Sequence, residues 1–297
     1  MTIDLSGQVA IVTGAGRGLG RTHALELAEH GARGVVNDLA ADGDQSENAL
    51  GVVEEIEAAG GEGMPHGANV ADFEQVSDMV QQAMNKWGRV DSLINNAGIL
   101  RDKTFAKMSL DDFRLVIDVH LMGSVNCTKA AWDIMREQQY GRIVFTTSSS
   151  GLYGNFGQSN YSAAKTAMLG LMNTLHLEGA KYDIRVNCLA PAAGTAMTDG
   201  LLSQPVYDLL TPESVSPGVV FLASKDAPSR TVLAAGGGSF AAYKGFETEG
   251  VSLLPGDLTA DGVAEAWQAI QNEDGMRDLT AGYQQATKFV TQAAEKL

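Results

Sequence analysis

Apolar runs of strand length alternate with helix-length amphipathic segments through most of this 297-residue chain, and no other feature narrows its possible folds so far. The run QVAIVTG is followed by a helical pattern over 19–29, GVVNDL by one over 46–59, and a further helix covers 73–87 before VDSLINNAG. A longer helical pattern over 110–136 leads to GRIVFTTSS, and one over 160–179 leads to IRVNCLAP. Strands that are apolar on both faces and joined by helices form a parallel sheet covered on both sides, with right-handed crossovers. The predicted fold is therefore α/β and doubly wound. Beyond 191 the alternation loosens into a Gly, Thr and Ala-rich loop, a short helix over 217–223 and a last strand over 231–235. Residues 1–237 read as one domain, and 238–297, with helical stretches near 262–272 and 282–296, read as a partly helical C-terminal extension packed on it.

A hydrophobic content of 44% is enough for a full core, and a formal charge of -15 without any Lys/Arg-rich run argues against nucleic acid as a partner. Two cysteines, Cys127 and Cys188, are too few for a disulfide scaffold and lack metal-type spacing, so they read as buried thiols and no metal site is expected. No stretch reaches the roughly 18 uninterrupted apolar residues of a membrane span. The opening MTIDLSGQVAIVTG suits a first strand better than a signal peptide, and the chain does not end in an S-K-L address, so a cytoplasmic location is expected.

Ligands of doubly wound sheets bind at the carboxyl ends of the strands, which directs attention to the turns there. The first, TGAGRGLG, places Gly14, Gly18 and Gly20 as G-x-x-x-G-x-G between a strand and a helix. Such a turn brings backbone close to a pyrophosphate and aims a helix N-terminus at it. Asp38 ends the second strand, where a carboxylate accepts hydrogen bonds from ribose hydroxyls and repels a 2′-phosphate. That favours NAD over NADP, although Arg17 beside Gly18 and Leu19 is able to meet a phosphate.

The segment SNYSAAKTA sets Tyr161 and Lys165 four residues apart, on one face of a helix. Ionising a phenol at pH 7 costs about 4 kcal/mol, and a neighbouring ammonium is one way to offset it. Taken alone, the pair also fits an ordinary half-buried Tyr with a surface Lys.

With TGAGRGLG at 13–20, NNAG at 95–98, Ser148, and YSAAK at 161–165, the chain resembles the short-chain dehydrogenase/reductase family over about residues 6–236. The resemblance implies a Rossmann-type, seven-stranded sheet, a nicotinamide cofactor, and catalysis by Ser148, Tyr161 and Lys165. In that family the serine stands thirteen positions before the tyrosine, which selects Ser148 from the run Ser148, Ser149, Ser150. The same resemblance puts Asn96, Ala97 and Gly98 along the adenosine half of the cofactor, Asn69 and Val70 beside the adenine, and Ala193, Gly194 and Thr195 over the nicotinamide. Asn69 stands where many members carry Asp. Tyr161 would exchange the proton of the substrate hydroxyl, Lys165 would lower the phenol's pKa and hold the nicotinamide ribose, and Ser148 would position the carbonyl oxygen. His120 occupies the place of an Asn common in the family's fourth helix, as a proton relay or as a structural residue.

Longer stretches, AGILRDKTFAKMS at 97–109, VHLMGS at 119–124 and YGRIVFTTSSSGLYGNFGQSNYSAAK at 140–165, look like the (3R)-hydroxyacyl-CoA dehydrogenase branch, in which His also stands at the position of His120. That branch comprises the dehydrogenase parts of peroxisomal multifunctional enzymes type 2, also called 17β-hydroxysteroid dehydrogenases type 4. The expected substrate is an acyl-CoA thioester. The rival readings are a steroid alcohol and, should the site be inactive, a non-catalytic NAD-binding protein. Arg101, Lys103 and Lys107 in RDKTFAK would meet the CoA phosphates, unless they are ordinary surface charges, while 193–210, with Met197, Leu201 and Leu202, would cover the acyl chain. The helices over 110–136 and 160–179 are expected to pair across a twofold axis, giving a homodimer or homotetramer.

Overall fold

The computed structural model describes residues 2–40, 46–194 and 203–295. Eight strands form one sheet in the order β3-β2-β1-β4-β5-β6-β7-β8. They are β1 Val9–Thr13, β2 Arg33–Asn37, β3 Gly63–His66, β4 Ser92–Asn95, β5 Gly141–Thr146, β6 Ile184–Pro191, β7 Val232–Gly236 and β8 Ser239–Tyr243. Pairings from β3 through β7 are all parallel. The helices between them are α1 Gly18–Glu29, α2 Glu47–Ala58, α3 Phe73–Trp87, α4 Leu110–Ile117, α5 Gly123–Gln138, α6 Ser149–Tyr153, α7 Ser159–Gly179, α8 Gln204–Leu209 and α9 Ser216–Ala223. Each crossover places its helix on the sheet, so central strands such as β1 and β5 are buried along their whole length.

The strand count exceeds the expected seven by one. Gly237 and Gly238, both with positive φ, turn the chain directly back after β7, and a connection this short permits only an antiparallel neighbour. Accordingly the chain divides into compact units at Met1–Ala242 and Tyr243–Leu297, five residues beyond the expected boundary at 237. The strand β3 carries Pro65, which lacks an N–H for the ladder; it is tolerated because β3 is an edge with β2 as its one partner.

The helix expected over 110–136 is not regular. Residues Asp118–Met122 form a π-helical turn between α4 and α5, holding the wider i→i+5 spacing for a little over one turn. At the amino end of β5, Arg142 is fully buried, yet every direction of its guanidinium is met. It donates to the carbonyls of Ser224, Gly141 and Asp183, pairs with the Asp183 carboxylate at 3.1 Å, and stacks on Tyr140. This clamp fastens the sheet at the end opposite the carboxyl termini of the strands.

The second unit contains α10 Ala260–Glu265, α11 Trp267–Ile270 and α12 Gly282–Ala294. Its fastening is polar: Lys288 of α12 is buried and pairs with Glu247, while Glu247 and Arg277 form an antiparallel bridge. No helix among the described residues is long and apolar enough to cross a membrane.

Candidate active site

At the carboxyl end of β1 the glycine turn is shaped by close approach. Gly14 has φ +62°, and a Cβ there would lie 2.8 Å from the Ala97 Cα; a Cβ on Gly20 would lie 2.1 Å from the Gly14 carbonyl oxygen. Gly18, with φ +54°, starts α1, and the exposed Arg17 is its N-cap without a side-chain bond to the helix. Gly16, which the spacing analysis passed over, is the tightest point: a Cβ would fall 2.1 Å from Asp38 Oδ2. The Asp38 carboxylate therefore overhangs the turn itself, and its Oδ1 accepts from the Leu39 N–H at 3.0 Å. Exposed backbone at a helix N-terminus with an adjoining carboxylate fits a pyrophosphate followed by a ribose diol.

The NNAG segment works mainly as a staple. Asn96 donates its side-chain amide to the carbonyls of Thr13 and Gly14 at 3.0 and 3.1 Å, and the Asn96 and Ala97 N–H groups donate to Thr13 Oγ1 at 3.0 and 3.1 Å. Thr13, another residue that periodicity does not single out, thus holds β4 against the glycine turn. Gly98 has a separate purpose: a Cβ there would overlap the His120 ring at 2.2 Å. Asn69 turns its side chain back on the Ala71 N–H, at 3.0 Å, and Val70 packs on Gly123 while Asn126 donates to its carbonyl at 2.9 Å.

Beyond β5, Ser148 caps α6 and accepts from the Ser150 N–H at 3.2 Å. Tyr161 and Lys165 share one face of α7, with the ammonium nitrogen 5.5 Å from the phenol ring centre. Lys165 is buried and donates to the Thr146 carbonyl at 2.6 Å. Gly151 makes that burial possible, because a Cβ there would meet the Lys165 Cβ at 2.7 Å. Burial pulls the Lys165 pKa down to about 7. Burial also raises Tyr161 above the ordinary phenol value, opposed by its hydrogen bond with Ser148 and reinforced by the Asp102 charge. In the bare site desolvation therefore outweighs the lowering of the phenol expected from Lys165.

His120 lies in the π-helical turn, edge-on to Tyr161 with ring centres 5.2 Å apart. Its Nε2 is 2.8 Å from the Ile99 carbonyl and 3.1 Å from the Ile99 N–H. The shorter contact assigns the proton to Nε2, leaving Nδ1 as a buried acceptor without a partner among the described residues. Burial, with Lys165 nearby, lowers its pKa to about 3, so this imidazole is neutral at ordinary pH. Both thiols are buried and free, and burial pushes Cys127 up to about 12 and Cys188 up as well, which leaves them unreactive at neutral pH.

Gly194 donates its N–H to the Leu210 carbonyl at 2.5 Å and lies under the Tyr207 ring, while Ala193 packs against the core. Thr195, Met197, Leu201 and Leu202 lie outside the described residues. No cluster of three or more metal-type ligands occurs among the described residues.

Residues 8–205 match the short chain dehydrogenase family. The chain belongs to the short-chain dehydrogenase/reductases. It is 44% identical over 275 residues to a short-chain type dehydrogenase/reductase of Mycobacterium tuberculosis, spanning 91% of this chain and 96% of that one. It is 48% identical over 223 residues to peroxisomal multifunctional enzyme type 2 of Drosophila melanogaster, covering 73% of this chain but 36% of the relative. The solved full-length structure of that enzyme superposes with a TM-score of 0.84 at 34% identity, over 99% of this chain and 50% of the other. A 3-oxoacyl-[acyl-carrier-protein] reductase of Synechocystis is 41% identical over 230 residues, 75% of this chain and 92% of its own. As a short-chain dehydrogenase/reductase the protein is an oxidoreductase of a family that uses a nicotinamide cofactor.

Proposed function

We propose that this oxidoreductase interconverts the 3-hydroxyl and 3-keto forms of a (3R)-hydroxyacyl-CoA, with NAD as its cofactor. The observation that carries the reaction type is the convergence of Ser148, Tyr161 and Lys165 at the carboxyl end of β5. Support for the acyl substrate comes from the similarity to peroxisomal multifunctional enzyme type 2. The cofactor supplies or accepts the hydride. Gly14, Gly16, Gly18, Leu19 and Gly20 would hold its pyrophosphate, Asp38 its adenosine ribose, and Lys165 its nicotinamide ribose. Tyr161 gives its phenolic proton to the carbonyl oxygen in reduction and takes the hydroxyl proton in oxidation. Ser148 donates a hydrogen bond to the same oxygen and so orients it. His120, neutral and with Nδ1 unengaged, accepts a proton-bearing neighbour on the Tyr161 side and stabilises its approach. Purified protein given NAD and a 3-hydroxyacyl-CoA should generate NADH absorbance. Turnover of a hydroxysteroid alone, or none, would reject this reading.

The similarity to an acyl-carrier-protein reductase supports a second reading, in which the acyl group is delivered on a carrier protein and reduced. Cofactor choice separates them in part. Asp38 over Gly16 leaves room for hydroxyls and repels a 2′-phosphate. Asp38→Ala should therefore narrow an NAD preference in kcat/KM by roughly tenfold or more, the effect of losing a charged hydrogen-bond partner. Equal efficiency of the parent with NAD and NADP would remove the premise.

The loop after β4 bears on the CoA moiety. Arg101 lies 3.8 Å from Asp112 and is half exposed, and Lys103 and Lys107 are exposed. Reversing charge with Arg101→Glu and Lys103→Glu should raise KM for the CoA substrate about tenfold and leave the N-acetylcysteamine thioester nearly unchanged, since the latter carries no phosphate. An equal effect on both substrates would make these residues structural. Exposed Leu110, Leu115 and Leu177 on α4 and α7 support the proposal of a homodimer or homotetramer. Light scattering at micromolar concentration should show at least twice the monomer mass.

A further inference from the structure

Three consecutive residues of the loop after β4 are tied, one by one, to the segment that leads into Tyr161. The Asn160 amide donates to the Arg101 carbonyl at 3.0 Å, Gln158 Nε2 donates to the Asp102 carboxylate at 2.6 Å, and the Lys103 N–H donates to the Gly157 carbonyl at 2.9 Å. Gln158 is the buried hub of this seam, 8% exposed. Its Oε1 accepts from Ser150 Oγ at 2.8 Å and from the Asn155 amide at 2.9 Å. Ser150 in turn donates its N–H to Ser148 Oγ, the oxygen that meets the phenol. With its oxygen and its nitrogen both engaged, the Gln158 amide has one workable orientation, and Asp102 is held in one place.

We propose that Gln158 and Asp102 form a positioning pair of the active site: Gln158 locks the Asp102 carboxylate beside Ser148 and Tyr161, where its negative charge opposes formation of the phenolate. The groups that face Tyr161 from neighbouring elements are His120 from the π-helical turn, Ser148 from the end of β5, Lys165 from α7 itself, and Asp102 from the loop after β4. Of these, His120 is neutral, Ser148 favours the phenolate through its hydrogen bond, and Asp102 is the anion. The arrangement holds the proton on Tyr161 and so favours its role as an acid toward a ketone. Because Asp102 is itself exposed, solvent screens the effect to a modest size.

This inference rests on Tyr161 being the proton-transfer group, and its test does not depend on the substrate being known. The tyrosinate absorbance of the apoprotein, minus that of the matching Tyr161→Phe protein, follows Tyr161 alone through a pH titration. Asp102→Asn keeps an oxygen for Gln158 and removes the charge, so the Tyr161 midpoint should move to lower pH. Gln158→Leu frees the carboxylate and should move it in the same direction, and adding Asp102→Asn to Gln158→Leu should add little further. Where a 3-hydroxyacyl-CoA is turned over, Asp102→Asn should raise kcat/KM for oxidation about threefold on the acidic limb and leave the alkaline plateau unchanged. Coincident Tyr161 midpoints in the parent and Asp102→Asn would overturn the proposal. Shifted midpoints without any turnover would uphold it and reject the substrate assignment instead.

Discussion

Tyr161→Phe should lower turnover by at least the roughly hundredfold typical of losing a general acid-base group, while NADH still binds. The substitution removes one oxygen and keeps the ring, so the edge contact with His120 and the packing of α7 survive. What is lost is the one titratable hydroxyl between Ser148 and the ammonium of Lys165. Burial sets the phenol above its usual value, so alcohol oxidation in the parent should rise with pH as Tyr161 becomes able to accept a proton. Ketone reduction needs the protonated form and should fall over the same range. Steady-state rates across pH in both directions, with NADH affinity measured by fluorescence, provide the check. A Tyr161→Phe protein that retains both its turnover and the parent's pH profile would assign the proton to another group.

Lys165→Met should raise the stability of the apoprotein while abolishing efficient turnover and weakening cofactor binding. The ammonium is buried with the Thr146 carbonyl as its hydrogen-bond partner, and its folded-state pKa of about 7 compares with an ordinary 10.5. A depressed folded pKa means that the unfolded chain binds the proton more tightly, so the group opposes folding. The opposition is complete below pH 7, wanes as pH rises from 7 to 10.5, and vanishes above that. Its full size is on the order of a few kcal/mol. Methionine fills a similar volume without a charge, so thermal unfolding should show a larger gain for Lys165→Met at pH 6 than at pH 9. No gain at pH 6 would mean that the lysine is better solvated than its burial implies. The pairing of a stability gain with an activity loss is the signature of a residue kept for chemistry rather than for folding.

Much of this was legible before the structure because the fold announces itself through local signals. Runs such as VAIVT and RIVFT are apolar throughout, and only a strand covered on both faces has a use for that pattern. Tyr161 and Lys165 were legible for a similar reason, their spacing being set by one helical turn. The edge strand β3 was not, since GMPH has neither alternation nor β-branched residues and forms because β2 offers it a ladder. Nor was β8, whose exposed, alanine-containing SFAAY is defined by the turn at Gly237 and Gly238 more than by its own side chains. In the site, contacts between elements distant in sequence escaped notice. Gly16 matters because Asp38 lies over it, Thr13 because Asn96 and Ala97 lean on its hydroxyl, and Gln158 because Asp102 is 56 residues away along the chain. The phenol's raised pKa was misjudged for a related reason: the spacing to Lys165 is local, whereas burial is a property of everything packed around it.

The π-helical turn at Asp118–Met122 makes α4 and α5 two registers of one rod. An α-helix advances about 100° per residue, so the one residue accommodated in the widened turn resets the phase of everything after it. Deleting a single residue, such as Val119, would let the rod run as an unbroken α-helix and would preserve its composition almost unchanged. It would also rotate α4 relative to α5 by about a quarter-turn. Val116 and Cys127, now both buried, would then no longer face inward together, and His120 would leave the edge of the Tyr161 ring. Grafts and loop exchanges in this part of the chain therefore have to conserve residue number as strictly as residue type.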